Sequence, residues 1–263
     1  MPSEPTVEEI WYKMLTEGEP ISGRTRHLFG LLPSEPRCKL CASPFKGWGG
    51  GLMRLIGREQ SRYNPHFCQK CETFDHPGGA EVVITMFFAD VRGSTRLAEE
   101  MSAREFHNLM DRFYRLGSRV LIGSDAMVDR LLGDEVVGLF VPGMAGKGHA
   151  RLAVEAARQL LELTGHREAE GPWLPVGIGV HTGPAYVGIV GGSQGEPQDF
   201  TALGDNVNIT ARLASLAGPG EVLISEAACE AAGLGEEPLE SRQLELKGKS
   251  GPTAVRVLRV APE

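Results

Sequence analysis

The chain has 263 residues, 41% of them hydrophobic, and a net charge of −7, which suffices for one large or two smaller packed domains. No apolar run approaches the length of a membrane span, and Met1-Pro2-Ser3-Glu4-Pro5 lacks a basic-then-apolar signal pattern, so a cytoplasmic protein with no membrane partner is expected. The acidic balance excludes a protein that coats nucleic acid over its whole surface. The stretch from Arg37 to Lys70 reverses it, with Lys39, Lys46, Arg54, Arg58 and Arg62 also present against Glu59, and it reads as a solvated basic face.

Thr6-Val7-Glu8-Glu9 is a capping-box start, followed by Val7, Ile10, Trp11, Met14 and Leu15 at helical spacing, which predicts an amphipathic helix within residues 1–20. Residues 21–75 hold Cys38-x-x-Cys41 and Cys68-x-x-Cys71 around a Gly-rich basic segment with too few apolar residues for a core of its own. Paired CxxC knuckles read as a zinc-ribbon-like four-cysteine site, in which Zn2+ supplies the missing stability. A reducing compartment argues against disulfides, and an iron–sulfur cluster would use the same ligands. His66 reads as a surface residue and Cys229 as a small core residue. His76-Pro77-Gly78-Gly79 marks a linker over 76–80, so the main domain is expected over 81–263.

That domain opens on an apolar strand, Val82 to Ala89, ended by Asp90 and a turn, Val91-Arg92-Gly93-Ser94-Thr95, that starts a helix and could cradle phosphate. Helical faces follow at Phe106, Leu109, Met110, Phe113 and Leu116 after the box Ser102-x-x-Glu105, and at Leu152, Ala156, Leu160 and Leu163. Between them, Gly133-Asp134 joins two apolar runs as a tight hairpin with a carboxylate at its tip. Asp90 and Asp134, on adjacent strands, could share hard divalent cations. A second hairpin is expected from Val176–Val180 and Ala185–Val190, turning near Thr182-Gly183. Asn208 and Arg212 are four apart in a helix beginning near Asp205 and so project from one face. Helices over an antiparallel sheet make an α+β fold.

Phe88-Ala89-Asp90-Val91-Arg92-Gly93-Ser94-Thr95, Leu132-Gly133-Asp134-Glu135 and Phe200-Thr201-Ala202-Leu203-Gly204-Asp205-Asn206-Val207-Asn208-Ile209-Thr210-Ala211-Arg212-Leu213 resemble, in order, the signature blocks of class III nucleotidyl cyclases. Leu246-Lys247-Gly248-Lys249-Ser250-Gly251-Pro252 resembles the family's last strand. The resemblance implies a ferredoxin-like core and closure of a cyclic nucleotide with loss of pyrophosphate. It implies two Mg2+ or Mn2+ ions on Asp90 and Asp134, with Val91 to Thr95 at the substrate's phosphates and Glu135 as a structural neighbour. Arg212 would meet the α-phosphate and Asn208 the ribose, both from the opposite subunit of a homodimer. Thr201 stands where a bacterial subgroup of adenylate cyclases has Thr, which favours ATP; Arg130 stands where many purine cyclases have Lys, which leaves GTP and the pyrimidine nucleotides open. A weakly catalytic signalling scaffold, or a nucleic-acid-binding cysteine module, is the competing reading. A diguanylate cyclase is set aside because Leu132-Gly133-Asp134-Glu135-Val136 departs from its turn motif.

Overall fold

The structure, a computed structural model, describes residues 5–18, 28–29, 31–33, 36–38, 41–61, 68–72, 78–191, 198–248 and 251–260. The expectation for His66 and the linker residues His76 and Pro77 fall outside these residues, while Gly79 and Ala80, expected in the linker, begin the first strand of the sheet. The chain forms two compact units that are not contiguous in sequence: 1–82 with 141–146 and 186–202, and 83–140 with 147–185 and 203–263.

Three helices come first among the described residues: α1 (Val7–Glu17), α2 (Gly47–Leu55) and α3 (Gln69–Glu72). The elements after them follow from strand and helix signals that alternate along the chain. Strand β1 (Gly79–Val91) leads through a turn into helices α4 (Ser94–Glu100) and α5 (Ala103–Gly123). The hairpin β2 (Met127–Leu132) and β3 (Glu135–Phe140) comes next, then α6 (Pro142–Ala145), α7 (His149–Leu163), β4 (Val176–Gly191), β5 (Gln198–Leu203) and α8 (Asp205–Leu216). The chain closes with β6 (Glu221–Ser225), α9 (Glu226–Ala232), β7 (Glu240–Glu245) and β8 (Pro252–Arg259). Among the described residues the strands form one sheet in the order β2-β3-β1-β4-β6-β8-β7, with β5 paired to β4 off that path. The expected α+β architecture of helices on a sheet is present. One pairing departs from the antiparallel expectation: β4 and β6 run parallel. The chain between them includes α8, and parallel strands require such a long crossover.

Gly133 has φ +65°, the left-handed backbone that a two-residue hairpin demands, so the β2–β3 turn forms as expected. The expected second hairpin does not form, because Val176 to Gly191 is one continuous strand. The Thr182 hydroxyl is buried against Thr85 on β1 at 2.7 Å. A Cβ at Gly183 would lie 2.7 Å from Asn206 Cγ, so this glycine admits a side chain from α8 and does not make a turn.

Helix α5 begins with the expected capping box on Ser102 and Glu105 and buries Met110, Phe113, Gly117, Val120 and Leu121. It approaches β3 closely: a Cβ at Gly138 would come within 2.6 Å of Leu121, and one at Gly117 within 2.9 Å of Val136. Helix α7 buries Ala156 and Leu160 as expected, while Leu163 is exposed. Ile209, Leu213, Ala217, Leu223, Leu246, Val255 and Val257 form a core that seats α8 over β6 and β8. Burying them drives this docking at about 25 cal/mol per Å² of apolar surface.

In the first unit, α1 carries the expected capping box: the Thr6 hydroxyl accepts from Glu9 N at 3.2 Å, and Glu9 Oε2 accepts from Thr6 N at 2.8 Å. It buries Trp11, Met14 and Leu15 and packs on α6. Only glycine fits the crossing, since a Cβ on Gly143 would lie 2.2 Å from Met14 O. Helix α2 lies between the two cysteine pairs, and α3 carries Cys71. Among the described residues no helix is long and apolar enough to cross a membrane.

Candidate active site and metal centre

Asp90 and Asp134 are brought together by strand register. Asp90 pairs with Glu135 across β1 and β3, and Val91 N donates to Asp134 O at 3.0 Å. Asp134 Oδ2 accepts from the Ser94 hydroxyl at 2.5 Å, so the residue that opens α4 also orients the carboxylate. The turn is braced from α5, where Tyr114 donates to Gly133 O at 2.5 Å. Burial, and secondarily the charge of Asp134, pushes the Tyr114 phenol up.

Asp90 forms an ion pair with Arg92, whose other nitrogen donates to Ser215 O, at the end of α8, at 2.7 Å. Burial pushes this guanidinium down, against the opposing pull of Asp134 and Glu135. Its Nε is buried without a hydrogen-bond partner among the described residues. Two half-buried acids and one incompletely satisfied cation form a locus of unbalanced negative charge. Its donors are hard carboxylate oxygens, a set that fits Mg2+ or Mn2+.

Of the expected phosphate cradle, two amides have other partners: Val91 N is used by Asp134 O and Arg92 N by Pro175 O at 2.8 Å. The amides of Gly93, Ser94 and Thr95 open the first turn of α4, where a helix cannot satisfy its own donors. Gly93 sits at φ +71°, which turns the chain from strand into helix.

Asn208 and Arg212 stand on the outer face of α8, opposite buried Ile209, Thr210, Leu213 and Ala214. Neither touches Asp90 or Asp134 among the described contacts. Thr201 is buried in the first unit, on β5. The Arg130 backbone pairs with Val137 beside a register shift in β2, and its side chain lies outside the described residues.

A buried network behind α8 went unread in the sequence. His181 Nε2 lies 2.8 Å from Asn206 Oδ1, and Asn206 Nδ2 donates to Pro184 O at 2.7 Å, so Asn206 accepts and His181 carries its proton on Nε2. His181 Nδ1 then accepts from Ser225, whose oxygen caps α9. Reading Thr182-Gly183 as a turn hid this, since a strand would have aimed His181 at the helices.

Cys38, Cys41, Cys68 and Cys71 are buried, and their sulfurs lie within 4.8 Å of one another. The Cys41 and Cys68 sulfurs are 3.7 Å apart, far beyond a disulfide and close to the ~3.8 Å edge of a zinc–thiolate tetrahedron with ~2.3 Å bonds. Cys38 Sγ accepts from Cys68 N at 3.3 Å. Arg58, stacked 5.1 Å over the Phe29 ring, places Nη1 3.7 Å from both Cys68 Sγ and Cys71 Sγ. Contacts among the thiols hold Cys41 down and push Cys38 and Cys71 up, since four thiolates cannot coexist here without a cation. Burial pushes Cys229, apart from this group, up to about 11, consistent with a core residue.

The family model of the adenylate and guanylate cyclase catalytic domain matches residues 80–257. The chain therefore belongs to that family, and residues 80–257 form a class III nucleotidyl cyclase domain. Among relatives, adenylate cyclase 1 of Rhizobium meliloti is 30% identical over 135 residues, 49% of this chain and 20% of that protein. The adenylate cyclase of Anabaena cylindrica is 27% identical over 139 residues, 51% of this chain and 27% of its own. The chain thus spans about a quarter or less of these relatives. Among solved structures, adenylyl cyclase CyaB from P. aeruginosa is 27% identical at a TM-score of 0.59, covering 69% of this chain and 96% of that one. Guanylyl cyclase Cya2 is 25% identical at a TM-score of 0.59, covering 68% and 93%.

Proposed function

We propose that the protein converts ATP to cyclic AMP and pyrophosphate at sites shared by two copies of the chain, with Zn2+ in the four-cysteine module. The observation that carries this reading is the β1–β3 register, which sets Asp90 beside Asp134 at the mouth of α4 while α8 presents Asn208 and Arg212 outward. Outward-facing groups serve a site only when a second copy brings its own carboxylates to them, which is how a two-fold dimer works.

Asp90 and Asp134 would hold two Mg2+ or Mn2+ ions, and such ions would supply acidification of the ribose 3′-hydroxyl and neutralisation of the triphosphate. Release from Asp90 frees the Arg92 guanidinium for a phosphate oxygen. The amides of Gly93, Ser94 and Thr95 receive the β- and γ-phosphates at the helix start. The 3′-oxygen attacks the α-phosphorus, the bond to the bridging oxygen breaks, and pyrophosphate departs. Arg212 stabilises the charge growing on the α-phosphate, Asn208 orients the ribose, and the Thr201 hydroxyl accepts from the adenine amino group. The compact sulfur cluster supports one tetrahedral ion over an iron–sulfur cluster, whose several irons spread their thiolates further apart. Cys38, Cys41, Cys68 and Cys71 would hold Zn2+, which would supply the stability that a module with little core lacks, as a regulator or dimer brace in a cytoplasmic enzyme.

The test is product formation from ATP, GTP, CTP and UTP with Mg2+ or Mn2+, resolved by chromatography, with Asp90→Ala as control. Preferential cyclic AMP, reduced at least about 1,000-fold in the variant, is expected. A different cyclic nucleotide overturns the assignment of Thr201 and Arg130. No product from folded dimer with its cysteine site loaded overturns catalysis and leaves the scaffold reading.

A further inference from the structure

Phe200 and Thr201 are consecutive in β5, so their side chains leave opposite faces of the strand. The Phe200 ring stacks on Trp11 of α1, with centroids 6.1 Å apart and planes 19° from parallel. Trp11 is fully buried. A Cβ at Gly78 would come within 3.0 Å of Val7 and 3.5 Å of Trp11 Nε1, and Gly78 O accepts from Ile189 N on β4 at 2.8 Å. At its other end α1 is keyed to α6, where a Cβ at Gly18 would lie 2.3 Å from Gly143 O. The helix is therefore held at both ends, and its central aromatic ring reaches the residue next to Thr201.

Strand β5 is short and pairs with β4 off the main path of the sheet. A slip of one residue in that pairing would turn Thr201 to the opposite face. An aromatic clamp on Phe200 removes that freedom.

We propose that Trp11 is a positioning residue for base recognition: by clamping Phe200 it sets the face of β5 from which Thr201 offers its hydroxyl to the nucleotide base. The inference rests on the reading of Thr201 as the base contact. It makes the amino-terminal helix part of nucleotide selection, so that whatever moves α1 alters which base is accepted.

The experiment compares Thr201→Ala, Trp11→Ala, Trp11→Phe and the Thr201/Trp11 double alanine variant in the full, metal-loaded protein, measuring kcat and KM for ATP and GTP. Thr201→Ala and Trp11→Ala should each lower the ATP:GTP ratio of kcat/KM about tenfold, and in Trp11→Ala the change should come through KM, with kcat on ATP within about threefold. Trp11→Phe keeps a ring for stacking and should restore the ratio, and the double variant should go no further than Thr201→Ala alone. An unchanged ratio in Trp11→Ala, with Thr201→Ala shifted, overturns the inference and leaves the role of Thr201 standing. An unchanged ratio in Thr201→Ala overturns that role instead, and the inference with it. A lower melting temperature with equal loss of kcat on both nucleotides makes Trp11 merely structural and overturns the inference. Where Trp11→Ala does not fold, Phe200→Leu removes the stack from the other side and is read the same way.

Discussion

Glu221 accepts from Arg242 through both carboxylate oxygens, at 2.9 and 3.0 Å, and also from Arg259 and Gly218 N. Arg242 foremost, helped by Gly218 N and Arg259, lowers its pKa from 4.5 to about 2. A depressed folded pKa stabilises the protein above the unfolded value and loses that effect as pH falls through the folded one. Glu221→Gln should therefore lower stability by about 1–2 kcal/mol at neutral pH, and its melting curve should converge on wild type between about pH 4.5 and 2. A gap that stays constant over that window would contradict the assignment. At the cysteine cluster, Arg58 faces two sulfurs and so would offset the charge of a metal thiolate centre. Arg58→Ala should weaken Zn2+ retention about tenfold or more in competition with a chromophoric chelator, with the four thiols intact.

At the scale of the element, α8 is held in place by what its first turn touches. Asn206 bonds His181 and Pro184 and fills the space that Gly183 leaves, two residues before Asn208 and six before Arg212. Gly183 does not have a positive φ, so its backbone accepts alanine, but the added methyl would displace Asn206. Gly183→Ala should cost about 1–3 kcal/mol of stability and about tenfold in kcat, read by thermal melts and steady-state kinetics. Normal kcat with lowered stability would show that α8 tolerates a shifted first turn.

At the scale of the whole molecule, the separation of the carboxylates from Asn208 and Arg212 makes an assembly prediction. Asp90→Ala and Arg212→Ala, each inactive alone, should recover up to about a quarter of wild-type activity when mixed equally, since half of the dimers are mixed and each has one intact site. No recovery after verified subunit exchange would place all four groups of a site in one chain. Chelating the metal of the four-cysteine module should lower the melting temperature, because the module has little apolar core to fall back on; an unchanged melt would mean that the thiols hold no structural ion.

The local elements that carry the candidate site residues were legible residue by residue. Asp90, Gly133-Asp134, the paired knuckles and the two capping boxes each follow from a local rule, of strand end, left-handed glycine, ligand spacing or helix start. So did the α+β class, since apolar periodicity reports which faces are buried. What only the tertiary structure decided are relations between distant segments. Thr182-Gly183 has the composition of a turn, yet it runs straight because Thr85 and Asn206, far along the chain, occupy the space around it. The parallel β4–β6 pair, the ion pair from Asp90 to Arg92, the reach of Arg58 to the thiols and the stack of Trp11 on Phe200 are of the same kind. Local sequence states what a residue can bond; packing decides which partner arrives, because burial is shared among segments that no local pattern joins.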